Sequence, residues 1–284
     1  NSFTQDEIGP ITRTVKDAAR ALDVMVAFDP HDPVTALGVG KPPASYAALL
    51  EARSLKGARI GVFGNLLGKE ARHAEVNRVM EQTVRTMEAQ GATMVHFDIP
   101  GFDQLAANVG TDRWEARAAF DKYFAELGAN QPVTSFRQLV DTKSASPDIQ
   151  KTMEGEIAIE NGLADPTYLQ RMANREKLRV LVASRMAELK LDAILYPLQR
   201  VLVAPAGQPD QPERNGVLSH GTGFPAVTFP AGFSAPTPTA PIGVPVGAEL
   251  LALDYSEGKL LLYAYAFEQA AEVRKPPVST PPLH

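Results

Sequence analysis

The sequence predicts an α/β fold, in which strands and helices alternate along the chain. A short apolar run bounded by glycines, residues 58–64, predicts a buried strand. A helical pattern over residues 70–90 follows and stops at Gly91. A second apolar run, residues 93–99, completes a strand, helix, strand unit. This order favours parallel pairing of the two strands in one sheet.

The segment before this unit predicts one amphipathic helix, which begins after Pro10 and ends before Asp29. Its apolar side chains recur at helical spacing: Val15, Ala18, Ala19, Leu22 and Val26. Two prolines in the stretch from Asp29 to Pro33 predict a turn there. Residues 34–56 are predicted to be irregular.

The segment after this unit predicts further helices and strands in alternation. Helical periodicity covers residues 111–127 and 166–189, with one short helix expected between them. Apolar runs predict strands over residues 191–196, 226–229 and 244–253, and a helix over 256–271 follows. Four prolines in residues 275–284 predict an extended tail.

Composition excludes several classes of protein. The 284 residues have a net charge of −5 and no block of Lys or Arg, which argues against nucleic acid as a partner. Without cysteine, the chain has no disulfides, no thiolate metal sites and no Cys nucleophile. The longest apolar runs are shorter than the ~18 residues of a membrane span, so we expect no membrane-spanning segment. We expect the protein in the cytoplasm. The five histidines are scattered, and we expect neither a metal nor a cofactor.

One group of polar side chains follows the predicted strand at 191–196. Tyr196, Gln199 and Arg200 place a phenol, an amide and a guanidinium where a strand runs into a loop. Such groups can bind a carbonyl or a carboxylate. The alternative is structural, with the tyrosine packed at the strand end and the arginine in an ion pair.

A second group consists of aromatic residues on the helix predicted at 111–127. Trp114, Phe120, Tyr123 and Phe124 can wall an apolar pocket. The alternative, which helices show more often, is that these residues are the buried stripe of the helix.

Several segments, in order along nearly the whole chain, resemble the C-terminal portion of amidase signature enzymes. Near the N-terminus they are Asp6-Glu7-Ile8-Gly9-Pro10-Ile11-Thr12-Arg13-Thr14-Val15 and Asp29-Pro30-His31-Asp32-Pro33. Later come Leu191-Asp192-Ala193-Ile194-Leu195-Tyr196-Pro197 and Gly223-Phe224-Pro225-Ala226-Val227-Thr228-Phe229-Pro230-Ala231-Gly232. The resemblance implies a mixed, mostly parallel sheet flanked by helices, with residues 1–284 forming the C-terminal portion of a single amidase domain.

The resemblance also implies a reaction, the hydrolysis of a carboxamide C–N bond by a Ser, Ser, Lys triad. In that family the triad belongs to the N-terminal half, and this sequence has no Ser-Ser or Gly-Gly dipeptide that could mark it. No catalytic residue is therefore expected in this chain. By the same resemblance, Asp6 supports the nucleophile loop without touching substrate. The segments around Tyr196, Gln199 and Arg200, and around Thr222 and Phe224, match the acyl side of the substrate pocket.

Two aromatic residues extend this implied site. Trp114 and Tyr123 belong to a variable wall of the pocket and suggest an aryl or other apolar acyl group.

The resemblance implies a partner as well. We expect an N-terminal amidase half on a separate chain, produced by processing or by a separate gene, with a higher oligomer possible and this chain alone inactive. One alternative in the same family is one component of a tRNA-linked amidotransferase. Another is a non-catalytic binding or scaffold module.

Overall fold

The computed structural model describes residues 1–50, 55–208 and 211–277. The chain divides into two compact units. The helical unit comprises Asn1–Ile8, Gly101–Val182 and His220–Gly223. The sheet unit comprises Gly9–Pro100, Ala183–Ser219 and Phe224–His284. That both belong to one domain stays a prediction.

The sheet unit contains a five-stranded sheet within the described residues. Its strands are β1 (Arg59–Phe63), β2 (Thr93–Phe97), β3 (Ala193–Pro197), β4 (Ala226–Phe233) and β5 (Pro245–Leu251). Their order across the sheet is β2-β1-β3-β5-β4. The strands β2, β1 and β3 are parallel, and β5 runs antiparallel to both β3 and β4. Four of the five strands thus point the same way, which confirms the mixed, mostly parallel α/β sheet.

Three helices accompany the sheet in this unit: α1 (Val15–Met25), α2 (Ala74–Ala89) and, near the C-terminus, one helix over Glu257–Ala271. They share one apolar core with the sheet, which contains Val79 and Met80 of α2 and Phe267 of the last helix. The start of α1 is fixed by Thr14, whose side chain accepts a hydrogen bond from the Asp17 N–H at 3.1 Å. These helices therefore bury their apolar stripes as the periodicity predicts.

The helical unit is built from short helices around one long one. They are α3 (Phe102–Ala106), α4 (Asp112–Glu126), α5 (Phe136–Asp141), α6 (Pro147–Ile157), α7 (Pro166–Leu189) and α8 (Val217–Thr222). Parts of α7 and α8 belong to the sheet unit. The helix Glu257–Ala271 of the sheet unit is α9. A small core joins α4, α5 and α6, and the rings of Phe120 and Phe136 stack at 4.6 Å between centroids. Two helices, α5 and α6, stand where one was expected. Ser135 caps α5, and Pro147 opens α6.

The described elements differ from the predictions chiefly at their ends. β4 runs four residues past the predicted 229, with a register irregularity between Pro230 and Gly232 that accommodates the proline. Two short 3₁₀ helices, Pro33–Gly38 and Ala47–Leu49, lie in the described residues 33–50, although residues 34–56 were expected to be irregular. Residues 275–277 have neither helix nor strand, and the rest of the predicted tail lies outside the described residues.

One glycine in β1 meets a packing requirement. A Cβ on Gly61 would lie 2.5 Å from Leu191 Cδ1 and 2.5 Å from Phe97 Cε1. Only glycine fits this close approach, so Gly61 serves packing within the sheet unit.

The strand β4 lies at one end of the sheet. In the described residues it pairs with β5 on one side and has no strand on the other. No helix in those residues is long and apolar enough to cross a membrane.

Candidate functional site

The carboxyl ends of β1 and β3 lie at the same edge of the sheet because the two strands are parallel. Beyond β1 the chain makes a 3₁₀ turn, Gly64–Leu66, and beyond β3 it enters the loop that carries Gln199 and Arg200. Binding sites in open α/β sheets occur at this kind of edge. We therefore take this edge as the candidate site of the sheet unit.

A buried asparagine connects the two strand ends. The Asn215 side-chain amide donates hydrogen bonds to the carbonyl oxygens of Leu66, at 2.8 Å, and Pro197, at 2.9 Å. Its backbone N–H donates to the Leu198 carbonyl at 2.9 Å. Asn215 is only 1% exposed, so these bonds hold the loop after β3 against the turn after β1.

Two of the predicted substrate-binding residues lie beside Asn215. Gln199 forms an isolated β-bridge with Arg214. The Arg200 N–H donates to the Glu213 carbonyl at 3.0 Å, and Arg200 Nε donates to Asn215 Oδ1 at 3.3 Å. Both side chains are half-buried. The structure thus holds the backbone of Gln199 and the side chain of Arg200 next to Asn215 at the candidate site.

The same loop is held at Glu213 by a histidine that the sequence did not single out. His73 Nδ1 accepts a hydrogen bond from the Glu70 N–H at 2.9 Å, so the ring proton lies on Nε2 and is donated to Glu213 Oε2 at 2.7 Å. Arg72 adds an ion pair with Glu213 at 3.0 Å. These contacts fix the loop to the segment that precedes α2.

Tyr196 is packed in the interior of the sheet unit. It is fully buried on β3, and its hydroxyl donates a short hydrogen bond to Glu249, its register partner on β5. Burial, together with the neighbouring Glu249 carboxyl, raises the pKa of Tyr196 well above its ordinary value. The side chain adopts the packed arrangement of the two that the sequence left open, and its role in substrate binding stays a prediction.

The predicted aromatic wall belongs to α4 in the helical unit. The Trp114 ring is half-buried, with the guanidinium groups of Arg113 and Arg171 at 5.2 Å and 4.9 Å from its centroid. Tyr123 is 55% exposed. Phe124 is buried, as expected if it belongs to the buried apolar stripe of the helix. The pocket roles of Trp114 and Tyr123 are untested by this arrangement.

The segment with the last two candidates is held by arginines of α7. Thr222 is buried, and its carbonyl accepts a hydrogen bond from Arg179 Nη1 at 2.7 Å. Arg175 Nη1 donates to the His220 carbonyl at 2.7 Å. Phe224, in the sheet unit, is 2% exposed. Both candidates are therefore covered in this structure, and their contact with substrate stays a prediction.

Asp6 lies in the N-terminal segment of the helical unit. Its carboxylate accepts a hydrogen bond from the Ser2 N–H at 2.9 Å. Asp6 thus shapes the backbone of this segment.

A buried glutamate anchors the same segment to α4. Glu115 Oε2 accepts hydrogen bonds from Ser2 Oγ at 2.5 Å, the Phe3 N–H at 2.7 Å and the Thr4 N–H at 3.1 Å. Its Oε1 accepts from Thr4 Oγ1 at 2.8 Å and from the Tyr168 hydroxyl at 3.1 Å. The Glu115 side chain has no exposed surface and accepts hydrogen bonds from five donors. Glu115 is therefore the centre of a hydrogen-bonded cluster, which we call the Glu115 cluster.

A cleft of about 550 Å³ opens elsewhere in the sheet unit, beside β4. Phe229 and Phe267 contribute to its lining, together with Arg13, Thr14 and Arg274. None of the predicted substrate-binding residues lines it. We therefore do not assign the cleft to the candidate site.

Comparison with known proteins identifies the family. The family model described as Amidase matches residues 2–261. The chain belongs to the amidase family. This confirms the resemblance to amidase signature enzymes and the α/β fold that it implied.

Relatives of this amidase chain share its fold over nearly its full length. A "Probable amidase" of Arabidopsis thaliana is 30% identical over 292 residues, which are 97% of this chain and 50% of that protein. A glutamyl-tRNA(Gln) amidotransferase component of Synechococcus is 28% identical, over 98% of this chain and 55% of its own length. The native peptide amidase of Stenotrophomonas maltophilia is 29% identical, with a TM-score of 0.79 over 97% of this chain and 55% of that one. The chain thus spans about half the length of these relatives.

Three residues that organise the amidase chain were missed by sequence reasoning: Asn215, Glu213 and Glu115. Asn215 and Glu213 lie in a Pro- and Gly-rich stretch between β3 and β4. A local signal in that stretch is the turn-forming pair Asn215-Gly216. Glu115 had no local signal, because its partners Ser2 and Thr4 lie more than 100 residues away in sequence.

The pair of Tyr196 and Glu249 allows a test of this interior. Replacing Tyr196 with phenylalanine removes a donor from a buried carboxyl, so we expect the free energy of unfolding to fall by about 2 kcal/mol. Urea denaturation measures it, and the exposed Tyr123→Phe serves as the matched control, with an expected change below about 0.5 kcal/mol. In a Glu249→Leu background the loss caused by Tyr196→Phe should become much smaller, because the two residues are coupled. Equal losses in both backgrounds contradict the pairing.

Proposed function

We propose that this chain is the C-terminal portion of an amidase that hydrolyses a carboxamide C–N bond, with the Ser, Ser, Lys triad on a separate N-terminal chain. The observation that carries the assignment to amidase chemistry is the family match over residues 2–261. The sequence offers no Ser-Ser or Gly-Gly dipeptide for a nucleophile loop. The open side of β4 provides an edge that further sheet can join.

The proposed reaction runs through an acyl-enzyme. The nucleophilic serine adds to the amide carbonyl, and backbone N–H groups stabilise the negative oxygen of the tetrahedral intermediate. The C–N bond then breaks, the leaving nitrogen takes up a proton, and water releases the carboxylic acid. In this chain Gln199 and Arg200 orient the acyl part of the substrate through hydrogen bonds. Asp6 supports the segment next to the nucleophile loop without touching the substrate.

The substrate class follows from less direct observations. Trp114 and Tyr123 favour an aryl or other apolar acyl group. The similarity to a peptide amidase, at 29% identity, adds peptide amides to the substrates worth assaying. The amidotransferase alternative has weaker structural support, since the glutamyl-tRNA(Gln) amidotransferase component of Thermotoga maritima is 22% identical with a TM-score of 0.65.

Purification from the native source tests the proposal. We expect a companion polypeptide to copurify with the 30.6 kDa chain, which intact mass and N-terminal sequencing identify. A serine-reactive fluorophosphonate should label the companion and leave this chain unlabelled. The complex should hydrolyse aryl or peptide amides at least about a thousandfold faster than this chain alone. Labelling of this chain, hydrolysis by it alone, or the absence of any companion contradicts the proposal.

A further inference from the structure

The helical unit contains a buried carboxyl group that the proposed reaction does not use. Glu156 lies on α6, next to Ile157 of the small core, and only 6% of the residue is exposed. Glu115, another buried glutamate of this unit, accepts hydrogen bonds from five donors. Within the described part of the chain, the Glu156 carboxyl accepts no hydrogen bond and forms no ion pair.

The surroundings of Glu156 do not neutralise its charge. Burial raises the pKa of the Glu156 carboxyl, and the neighbouring Asp112 carboxylate raises it further, while Arg113 lowers it to a smaller extent. The Arg113 guanidinium lies over the Trp114 ring, 5.2 Å from its centroid, and does not pair with Glu156. A buried carboxylate without donors is unfavourable for stability, and buried polar groups in proteins usually have a partner. A ligand can supply the partner that the fold does not.

Glu156 lies close to the helix that was predicted to wall the substrate pocket. Its helix α6 packs against α4 through Met153 and Ile157, which share a core with Ala116. Asp112 and Arg113, whose charges act on Glu156, directly precede Trp114 on α4. A charged group of a ligand bound against this end of α4 is therefore within range of the Glu156 carboxyl.

The geometry points to Glu156 as the residue that selects amides whose acyl part carries a protonated amine, an inference that rests on the proposed function. An ammonium group supplies both the N–H donors and the positive charge that the Glu156 carboxylate lacks. Asp112 favours the same sign of charge in the ligand. An acyl part with a carboxylate is disfavoured, because it adds a further negative charge beside these two.

A metal ion fits this position less well than an amine. Divalent cations bound through oxygen require several protein ligands. Among the residues that the structure describes, no group of three or more His, Asp or Glu side chains could hold a metal ion. A single buried carboxyl with one acidic neighbour matches an ammonium group instead.

The expected role of Glu156 is in binding and not in the chemical step. Its bond to the ammonium group is the same in the bound substrate and in the transition state. Such uniform binding lowers KM and leaves kcat nearly unchanged. Loss of the carboxylate should therefore act mainly on KM, and only for substrates that carry the charge.

Two amides of matched shape test the inference. They are para-(aminomethyl)benzamide, which carries the protonated amine, and para-ethylbenzamide, in which a methyl group replaces that amine. In the proposed amidase complex, we expect Glu156→Gln to lower kcat/KM for the charged amide at least about tenfold, mainly through KM, and for the neutral amide less than about twofold. Glu154→Gln is the matched control, because Glu154 is exposed on the same helix and accepts from Gln150 Nε2 at 3.0 Å. It should change both values less than about twofold.

The stability of Glu156→Gln distinguishes a ligand-binding carboxyl from a structural one. Because the substitution removes an uncompensated buried charge, the urea midpoint at about pH 7 should stay the same or rise. A lower midpoint shows that the fold itself satisfies this carboxyl, which overturns the inference.

Binding of a simple amine separates the inference from the proposed function, because it requires no turnover. Calorimetry measures binding of para-methylbenzylamine to the protein as purified, with any companion polypeptide. If Glu156→Gln weakens this binding at least about tenfold while no amide is hydrolysed, the ammonium site stands and the proposed function is wrong. If amides are hydrolysed and Glu156→Gln affects the charged and the neutral amide alike, the proposed function stands and the inference is overturned. If the amine does not bind and no amide is hydrolysed, both are wrong.

Discussion

Replacing Glu115 with alanine is expected to lower the free energy of unfolding by about 3 kcal/mol, because five hydrogen-bond donors lose a buried, charged acceptor. Four of these donors belong to residues 2–4: the Ser2 hydroxyl, the Phe3 N–H, and both the N–H and the hydroxyl of Thr4. The change should therefore also release this segment from α4. Hydrogen exchange at Phe3 and Thr4 should become faster in the variant.

The measurement uses the single tryptophan of the chain, Trp114, which precedes Glu115 on α4. Urea unfolding followed by its fluorescence reports on the helical unit. Glu126→Ala is the matched control on the same helix, since Glu126 is 59% exposed and pairs with Lys122. Its expected cost is below about 0.5 kcal/mol. Equal effects of the two substitutions would show that the Glu115 cluster contributes no stability.

The same cluster predicts a dependence on pH. Burial raises the pKa of Glu115, but the hydrogen bonds from Ser2, Thr4 and Tyr168 outweigh it, so the folded pKa lies below the ordinary 4.5. The stabilisation is complete above the unfolded pKa and is lost as the pH falls through the folded pKa. The stability difference between the natural chain and Glu115→Gln should therefore shrink between about pH 7 and about pH 3. A constant difference over this range contradicts the lowered pKa.

Replacing Asn215 with alanine is expected to cost about 2 to 4 kcal/mol, because two buried carbonyl groups, those of Leu66 and Pro197, lose their donor. The loop that carries Gln199 and Arg200 should then move away from the end of β3. In the proposed complex with an N-terminal portion, we expect KM for the amide to rise at least about fivefold, a larger relative change than that in kcat.

Two further variants make the Asn215 result interpretable. Asn108→Ala is the control, because Asn108 is exposed and donates only a local hydrogen bond to the Gln104 carbonyl at 2.9 Å. Asn215→Asp keeps the shape but replaces the donor with an acceptor, so it should be at least as destabilising as Asn215→Ala. Should Asn215→Ala unfold at the same urea concentration as the natural chain, the hydrogen bonds of Asn215 do not hold the site together.

The sequence was most informative where structure depends on local pattern. The helix predicted over 166–189 matches α7 at both ends, because its apolar period is long and Asp165 caps its start by accepting from the Thr167 N–H at 2.7 Å. The strand that contains Tyr196 was likewise predicted from its apolar run. Its hydroxyl partner Glu249 was not, because β3 and β5 meet only through the antiparallel pairing of distant segments.

In the candidate site, too, some residues could be identified from a local pattern and others depend on distant partners. Gln199 and Arg200 could be identified because a polar group directly follows a strand. The role of Asn215 depends on Leu66, about 150 residues earlier, which no local period encodes. The assignment to the amidase family was based on motifs in their family order rather than on a set of catalytic residues. Substrate preference has no direct signal in the sequence of this chain, so it remains a proposal.

The unpaired edge of β4 affects which strands can join the sheet there. The Gly247 carbonyl on β5 accepts a hydrogen bond from the Leu198 N–H, so the backbone polar groups of Gly247 point toward β3. Pro230 is the register partner of Gly247 on β4, and its backbone therefore points away from β5, toward the outer edge of the sheet. Because proline has no backbone N–H, a strand that pairs with the outer edge of β4 lacks a hydrogen-bond donor at Pro230, near the middle of β4. Indiscriminate stacking of identical molecules into fibrils is thereby hindered, while a strand shaped to end at that gap can still attach.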